Sequence, residues 1–151
     1  MRKKILIGIA IVAVAVVAVM MYMNNRGRTL SPPGSTSLTS GDLTISLTYS
    51  RPSVRGRLIF GPESEGALQP YGKYWRLGAN ESTEITFNND VVINGQSLKA
   101  GTYRFYAVPG PESFELIANS ELGQWGYFEP NHSLDVLKTQ VPVEKPASPV
   151  E

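Results

Sequence analysis

The hydrophobic pattern changes character twice along this chain. Residues 1–4 carry three cations, Arg2, Lys3 and Lys4, and residues 5–23 carry no charge at all. Apart from Gly8 and Tyr22, those 19 residues are Ile, Leu, Val, Ala and Met, and as a helix they would be about 28 Å long, close to the ~30 Å hydrocarbon core of a bilayer. A removable signal has a shorter apolar region followed by a small-x-small cleavage site. Here Ala13, Ala15 and Ala18 lie inside the run, and Met20, Met21, Tyr22 and Met23 stand where cleavage would fall. The pattern predicts an uncleaved signal anchor over residues 5–23, with secretion after cleavage as the alternative. The N-terminal cations favour a cytoplasmic amino terminus, though Arg26 and Arg28 weaken that bias. Either way the body lies on the extracytoplasmic (periplasmic) side.

From residue 43 the period becomes two. Leu43, Ile45, Leu47 and Tyr49 alternate with Thr44, Ser46 and Thr48, as in a half-buried strand. Further strands are predicted at 54–60, 83–87, 91–93, 96–98, 103–108, 114–119 and 134–143. Asn94-Gly95 is a strong hairpin signal between two of them. Residues 67–80 are broken by Gly72 and Gly78 and read as an irregular segment lying across the sheet. No helical period follows residue 24. The prediction is all-β, an antiparallel β-sandwich preceded by an N-terminal transmembrane helix. Its parts are a basic cytoplasmic end (1–4), the anchor (5–23), a Ser/Thr/Gly/Pro-rich flexible linker (24–41) and the extracytoplasmic domain (42–151). The proline-bearing stretch 142–151 supplies no closing apolar strand, which would leave a sheet edge open.

Composition mainly excludes. The chain has no cysteine, so disulfides, thiolate catalysis, Cys-ligated zinc and iron–sulfur clusters are ruled out, as is lipid attachment through an N-terminal Cys. With 14 basic and 13 acidic residues the net charge is +1, which gives no footprint for nucleic acid. His132 is the single histidine, and no calcium-type acidic loop occurs. No metal and no cofactor is expected.

The densest chemistry lies at residues 71–87. The strand period run back from Phe87, Ile85 and Thr83 places Glu81 on the inward face, where a carboxylate needs a partner. Arg51, Arg57, Arg76 and Lys73 are the candidates, in a structural ion pair or a preorganised Glu/Arg site. Tyr71, Tyr74, Trp75, Trp125 and Tyr127 suit either core packing or a stacking surface for sugars or peptides. A binding site would use Trp75, Arg76, Asn80, Glu81, Trp125 and Tyr127. His132, in a turn-like segment, reads as a lone surface histidine, since Ser133 beside it in an extended chain points away. Glu81 with Glu129 offers a glycosidase-like pair, but any chain with 13 acids offers such pairs. No catalytic residue is assigned.

Four ordered blocks carry a family resemblance. They are Tyr49-Ser50-Arg51-Pro52-Ser53-Val54-Arg55-Gly56-Arg57-Leu58-Ile59-Phe60-Gly61; Pro70-Tyr71-Gly72-Lys73-Tyr74-Trp75-Arg76-Leu77-Gly78-Ala79-Asn80-Glu81; Ile93-Asn94-Gly95 with Leu98-Lys99-Ala100-Gly101-Thr102-Tyr103; and Gln124-Trp125-Gly126. Over about residues 42–145 the chain resembles the bacterial domain of unknown function 2911. The resemblance implies an exported β-rich domain and no assigned reaction. It also implies two further strands after residues 149–151, so this chain looks shortened at its C-terminus. Three roles follow: a membrane-anchored module binding an envelope glycan or peptide, a structural or assembly protein with a buried Arg/Glu/Tyr lock, and, ranked last, a carboxylate-dependent hydrolase.

Overall fold

The computed structural model describes residues 2–144. Helix α1, Arg2–Leu30, is one unbroken element with no buried residue, and it is long and apolar enough to cross a membrane. The strands are β1 (Pro33–Ser40), β2 (Leu43–Ser50), β3 (Phe60–Gly61), β4 (Gln69–Pro70), β5 (Thr83–Phe87), β6 (Val91–Ile93), β7 (Gln96–Leu98), β8 (Gly101–Val108), β9 (Ser113–Asn119) and β10 (Asp135–Pro142). Six of them form one antiparallel sheet in the order β1-β2-β5-β8-β9-β10. The fold is all-β behind an N-terminal apolar helix.

Alternation along the central strands gives the sheet two different faces. On one face Phe87, Phe105, Ala118 and Leu137 pack with Leu98 of the β6–β7 hairpin into the main core. Asn94 and Gly95 turn that hairpin with φ of 48° and 81°, the left-handed pair that a two-residue turn requires. At the far end of the same face Phe60 meets Trp75 and Phe114 edge-on, with centroids 4.8 and 4.9 Å away. The second layer is therefore this hairpin plus the short parallel β3–β4 ribbon, not a second large sheet.

On the opposite face a mainly polar cluster is buried around β8 and β9. Arg104 lies across from Asn119, and Tyr106 from Ile117, all four with almost no solvent contact. A bulge at Val136 brings Asp135 onto this face while Leu137 stays on the core face. With a period of two, residues 135 and 137 would otherwise share a side.

Two expectations are corrected. Residues 24–41 are not a flexible linker: 24–30 complete α1, and β1 pairs with β2 along its whole length. Its residues are exposed or half-exposed, so the pairing rests on main-chain bonds with little apolar burial to announce it. The predicted strand at 54–60 survives only at Phe60. Arg55 and Gly56 take φ of 53° and 66°, and Arg57 N–H donates to the Val54 carbonyl at 3.1 Å, so the chain reverses there. The expected open C-terminal edge and the strands implied beyond it concern residues outside the described ones.

Leu98 joins the hairpin to the sheet, so Leu98→Ala is expected to cost about 2–5 kcal/mol. Chemical denaturation measures it, and a loss below ~1 kcal/mol would mean that the hairpin is not part of the core.

Candidate functional site

After β4 the chain runs beside β8 and forms a reciprocal pair with it, Trp75 N–H to the Ala107 carbonyl at 2.8 Å and back at 2.9 Å. It then loops outward through Leu77 and Asn80, both with positive φ, before entering β5. A second loop, residues 120–131, lies against this excursion. Gly126 N–H donates to the Asn80 carbonyl at 2.9 Å and Ser82 N–H to the Gln124 carbonyl at 3.3 Å, which pairs Glu81 with Trp125. Position 126 requires glycine, because a Cβ there would lie 2.7 Å from Arg76 Cδ and 3.0 Å from the Asn80 carbonyl oxygen.

Beneath these loops sits Arg104, 1% exposed. Its Nη2 donates to the Tyr74 hydroxyl at 2.5 Å and to the Phe128 carbonyl. The Tyr74 hydroxyl in turn donates to the Gly126 carbonyl at 2.9 Å. The nearest counter-charge is Glu121, 4.0 Å from Nη1. Among the described residues, Nε and Nη1 have no hydrogen-bond partner. Burial raises the Tyr74 phenol against the lowering effect of Arg104.

A second cluster adjoins the first through the tilted Tyr74–Tyr106 ring pair at 5.3 Å. Tyr106 donates to Asp135 Oδ1 at 2.9 Å, and Asn119 Nδ2 donates to the same oxygen at 2.8 Å. Lys138 Nζ stands 3.0 Å from Asp135 Oδ2. Burial pushes the Asp135 carboxyl up, but the hydrogen bonds from Asn119, Lys138 and Tyr106 outweigh it and hold the carboxyl below its ordinary value. The Tyr106 phenol is raised, first by burial and then by Asp135, and stays protonated. A phenol so held is neither a base nor a nucleophile. His132 is not alone: its Nδ1 lies 2.9 Å from the Tyr106 hydroxyl and its Nε2 3.6 Å from Glu129.

The predicted site residues divide between two grooves and a loop. Trp75 and Arg76 line a groove of about 780 Å³ together with Arg55, Arg57 and the apolar Phe60 and Leu68. Glu81 lines a second groove, of about 590 Å³, with Arg28, Tyr49 and Glu84. Asn80 is committed to the end of α1, where its Nδ2 donates to the Ser31 carbonyl at 3.0 Å. Trp125 and Tyr127 sit outside both grooves, 42% and 72% exposed.

The expected ion pair takes a different partner. Glu81 is 45% exposed and bonds Arg28 at the end of α1, not Arg51, Arg57 or Arg76. Those three donate to carbonyls near them in the fold: Arg51 to Pro33, Arg57 to Ser53 and Val54, and Arg76 to Gly78. The inward phase extrapolated from Phe87 fails because the backbone leaves the sheet at residues 77–82.

Arg104, Tyr106, Asn119 and Asp135 were not singled out by sequence reasoning. A signal existed in Tyr103-Arg104-Phe105-Tyr106, which has aromatics on both sides of the period and so no solvent face for its arginine.

An all-β sheet domain entered by an apolar helix is the class these features define. The profile of the family described as "Protein of unknown function (DUF2911)" matches residues 31–151, and the chain belongs to that family. No curated protein and no solved structure matches it. Among the described residues no group of three His, Asp or Glu side chains is placed to hold a metal ion.

Two outcomes are expected. Glu81→Gln should change stability by less than about 1 kcal/mol, because its ion pair is solvated on both sides; a loss near 3 kcal/mol would return Glu81 to a locking role. A carboxyl held low in the folded state stabilises the protein above its ordinary value, and that stability drains as pH falls through the folded value. The Tm should therefore drop on acidification below pH ~4, and Asp135→Asn should flatten that slope. A parallel decline in both proteins would show that other groups set the acid limit.

Proposed function

We propose that this protein is a membrane-anchored, extracytoplasmic binding module, held by residues 5–23 as an uncleaved signal anchor. Its ligand is an acidic peptide segment from the cell envelope, bound in the groove that contains Trp75 and Arg76. The observation that carries the reading is the groove's lining: indole, phenyl and aliphatic surface beside Arg57 and Arg76, with no carboxylate among the described residues. Apolar walls gain from covering a ligand's side chains, and guanidinium groups select carboxylates by bidentate bonding. Asn80 and Glu81 support the wall of this groove by tying it to the end of α1. An acidic glycan would share the charge but offer less apolar surface to the Trp75 and Phe60 side of the groove. A purely structural role is the second reading, favoured by the Arg104 and Tyr106 clusters, which bond loop backbone and other buried side chains.

The Trp125→Phe variant of the whole 151-residue chain in phosphatidylcholine nanodiscs leaves Trp75 as its single indole and tests this directly. A peptide of alternating glutamate and phenylalanine should give a saturable change in Trp75 emission. Raised salt should weaken it, and Arg76→Gln should weaken it about tenfold. Lysine–phenylalanine peptides and neutral oligosaccharides should give none. Saturation by an oligouronate alone would reassign the ligand to an acidic glycan. Silence from every anionic probe would end the binding reading and leave the structural one.

A further inference from the structure

Residues 122–128, Leu-Gly-Gln-Trp-Gly-Tyr-Phe, contain no charge. Trp125, Tyr127 and Phe128 are 42%, 72% and 63% exposed, and Leu122 is also exposed. Four apolar or aromatic side chains on one short loop form the kind of exposed patch that soluble surfaces avoid unless something covers it. The loop is held, not loose: its backbone is bonded to Asn80 and Ser82, and Arg104 grips the Phe128 carbonyl from below. Of the carboxylates at its two ends, one is bonded within the protein and the other is exposed beside a histidine. Glu121 Oε2 accepts from Asn131 N–H at 2.9 Å, and Glu129 faces His132.

The position of the loop bears on what covers it. Trp125 pairs with Glu81, and Glu81 bonds Arg28 near the C-terminal end of α1. If residues 5–23 fill the hydrocarbon, Arg28 lies about 7 Å beyond its boundary, within the headgroup layer. Trp and Tyr concentrate at that depth, where a ring finds apolar chains on one side and water on the other.

We propose that residues 122–128 are a second membrane contact, an aromatic foot that rests in the headgroup layer beside the exit of α1. The bilayer is the occupant because Gly123 and Gln124 of this loop line one groove with Arg28 at the end of α1, and because residues 122–128 add no charge that headgroups would repel. This inference rests on the anchor reading of α1. The foot would fix the tilt of the domain on the membrane and so the direction in which the Trp75 groove opens.

The test uses the full chain in phosphatidylcholine vesicles whose lipids are brominated on the acyl carbons nearest the headgroup. Trp75→Phe leaves Trp125 as the single indole, and Trp125→Phe leaves Trp75. The bromolipid should roughly halve Trp125 emission and leave Trp75 nearly unchanged. If Trp75→Phe fails to fold, the wild-type signal minus that of Trp125→Phe gives the same quantity. Quenching of Trp125 by aqueous acrylamide as strongly as for free tryptophan, with no bromolipid effect, overturns the foot while the anchor stands. Shielding from both quenchers also overturns it, and points to a protein partner or a second copy. Release of the chain from the vesicles by alkaline carbonate overturns the anchor and the foot together.

Discussion

A guanidinium inside a β-sheet is the constraint on which the rest depends. Arg104 occupies the central strand β8, where a charged group stripped of water is costly unless bonds replace its hydration. Only Nη2 is bonded among the described residues, and it serves two acceptors that belong to different loops. One is the hydroxyl of Tyr74, which passes a further bond to Gly126; the other is the carbonyl of Phe128. Through this fork the sheet grips residues 126–128 from beneath, while Asn80 and Ser82 grip the same loop from its side. A hydrophobic residue at 104 would avoid the desolvation cost but leave a carbonyl and a phenol under the loop without their donor.

The consequences run outward from that point. Because residues 120–131 are fixed against residues 78–82, and Asn80 and Glu81 meet the end of α1, the sheet, both loops and the helix terminus form a continuous set of contacts. The Tyr106–Asp135 cluster closes the other end of the same loop. Asn119 Nδ2 donates to the Asn131 carbonyl as well as to Asp135, and the Val136 bulge makes that carboxylate available. Each buried polar group here holds loop backbone or another buried group. The chemistry left facing solvent is of another kind, arginines beside apolar walls and an aromatic loop.

Much of the fold was legible because its strands obey simple rules. β2, β5, the β6–β7 hairpin, β8 and β9 lie where alternation and Asn94-Gly95 indicate. β1 was not legible, since a Ser/Thr-rich edge strand is stabilised by main-chain bonds and carries almost no apolar signature. The reversal at Arg55-Gly56 was hidden for a similar reason: the flanking residues look like strand, and a single left-handed pair ends it. At the site, the importance of residues 71–82 was readable from their unusual chemistry, but the phase of Glu81 was not. A two-residue period cannot be carried through an excursion of the backbone. Arg104 went unremarked because basic residues on strands are usually solvated, and only the aromatics around it signal that this one has no route to water.

The most direct measurement of the central claim is native-state hydrogen exchange at the Gly126 and Ser82 amides, whose bonds join the two loops, in the wild-type protein and in Arg104→Leu. If the buried guanidinium fixes the loop, protection at both amides falls at least about tenfold in the variant, an opening roughly 1.4 kcal/mol easier, while amides in β8 and β9 lose less. Equal protection in the two proteins would mean that the backbone bonds to residues 80–82 hold the loop unaided, and that Arg104 is not its pin.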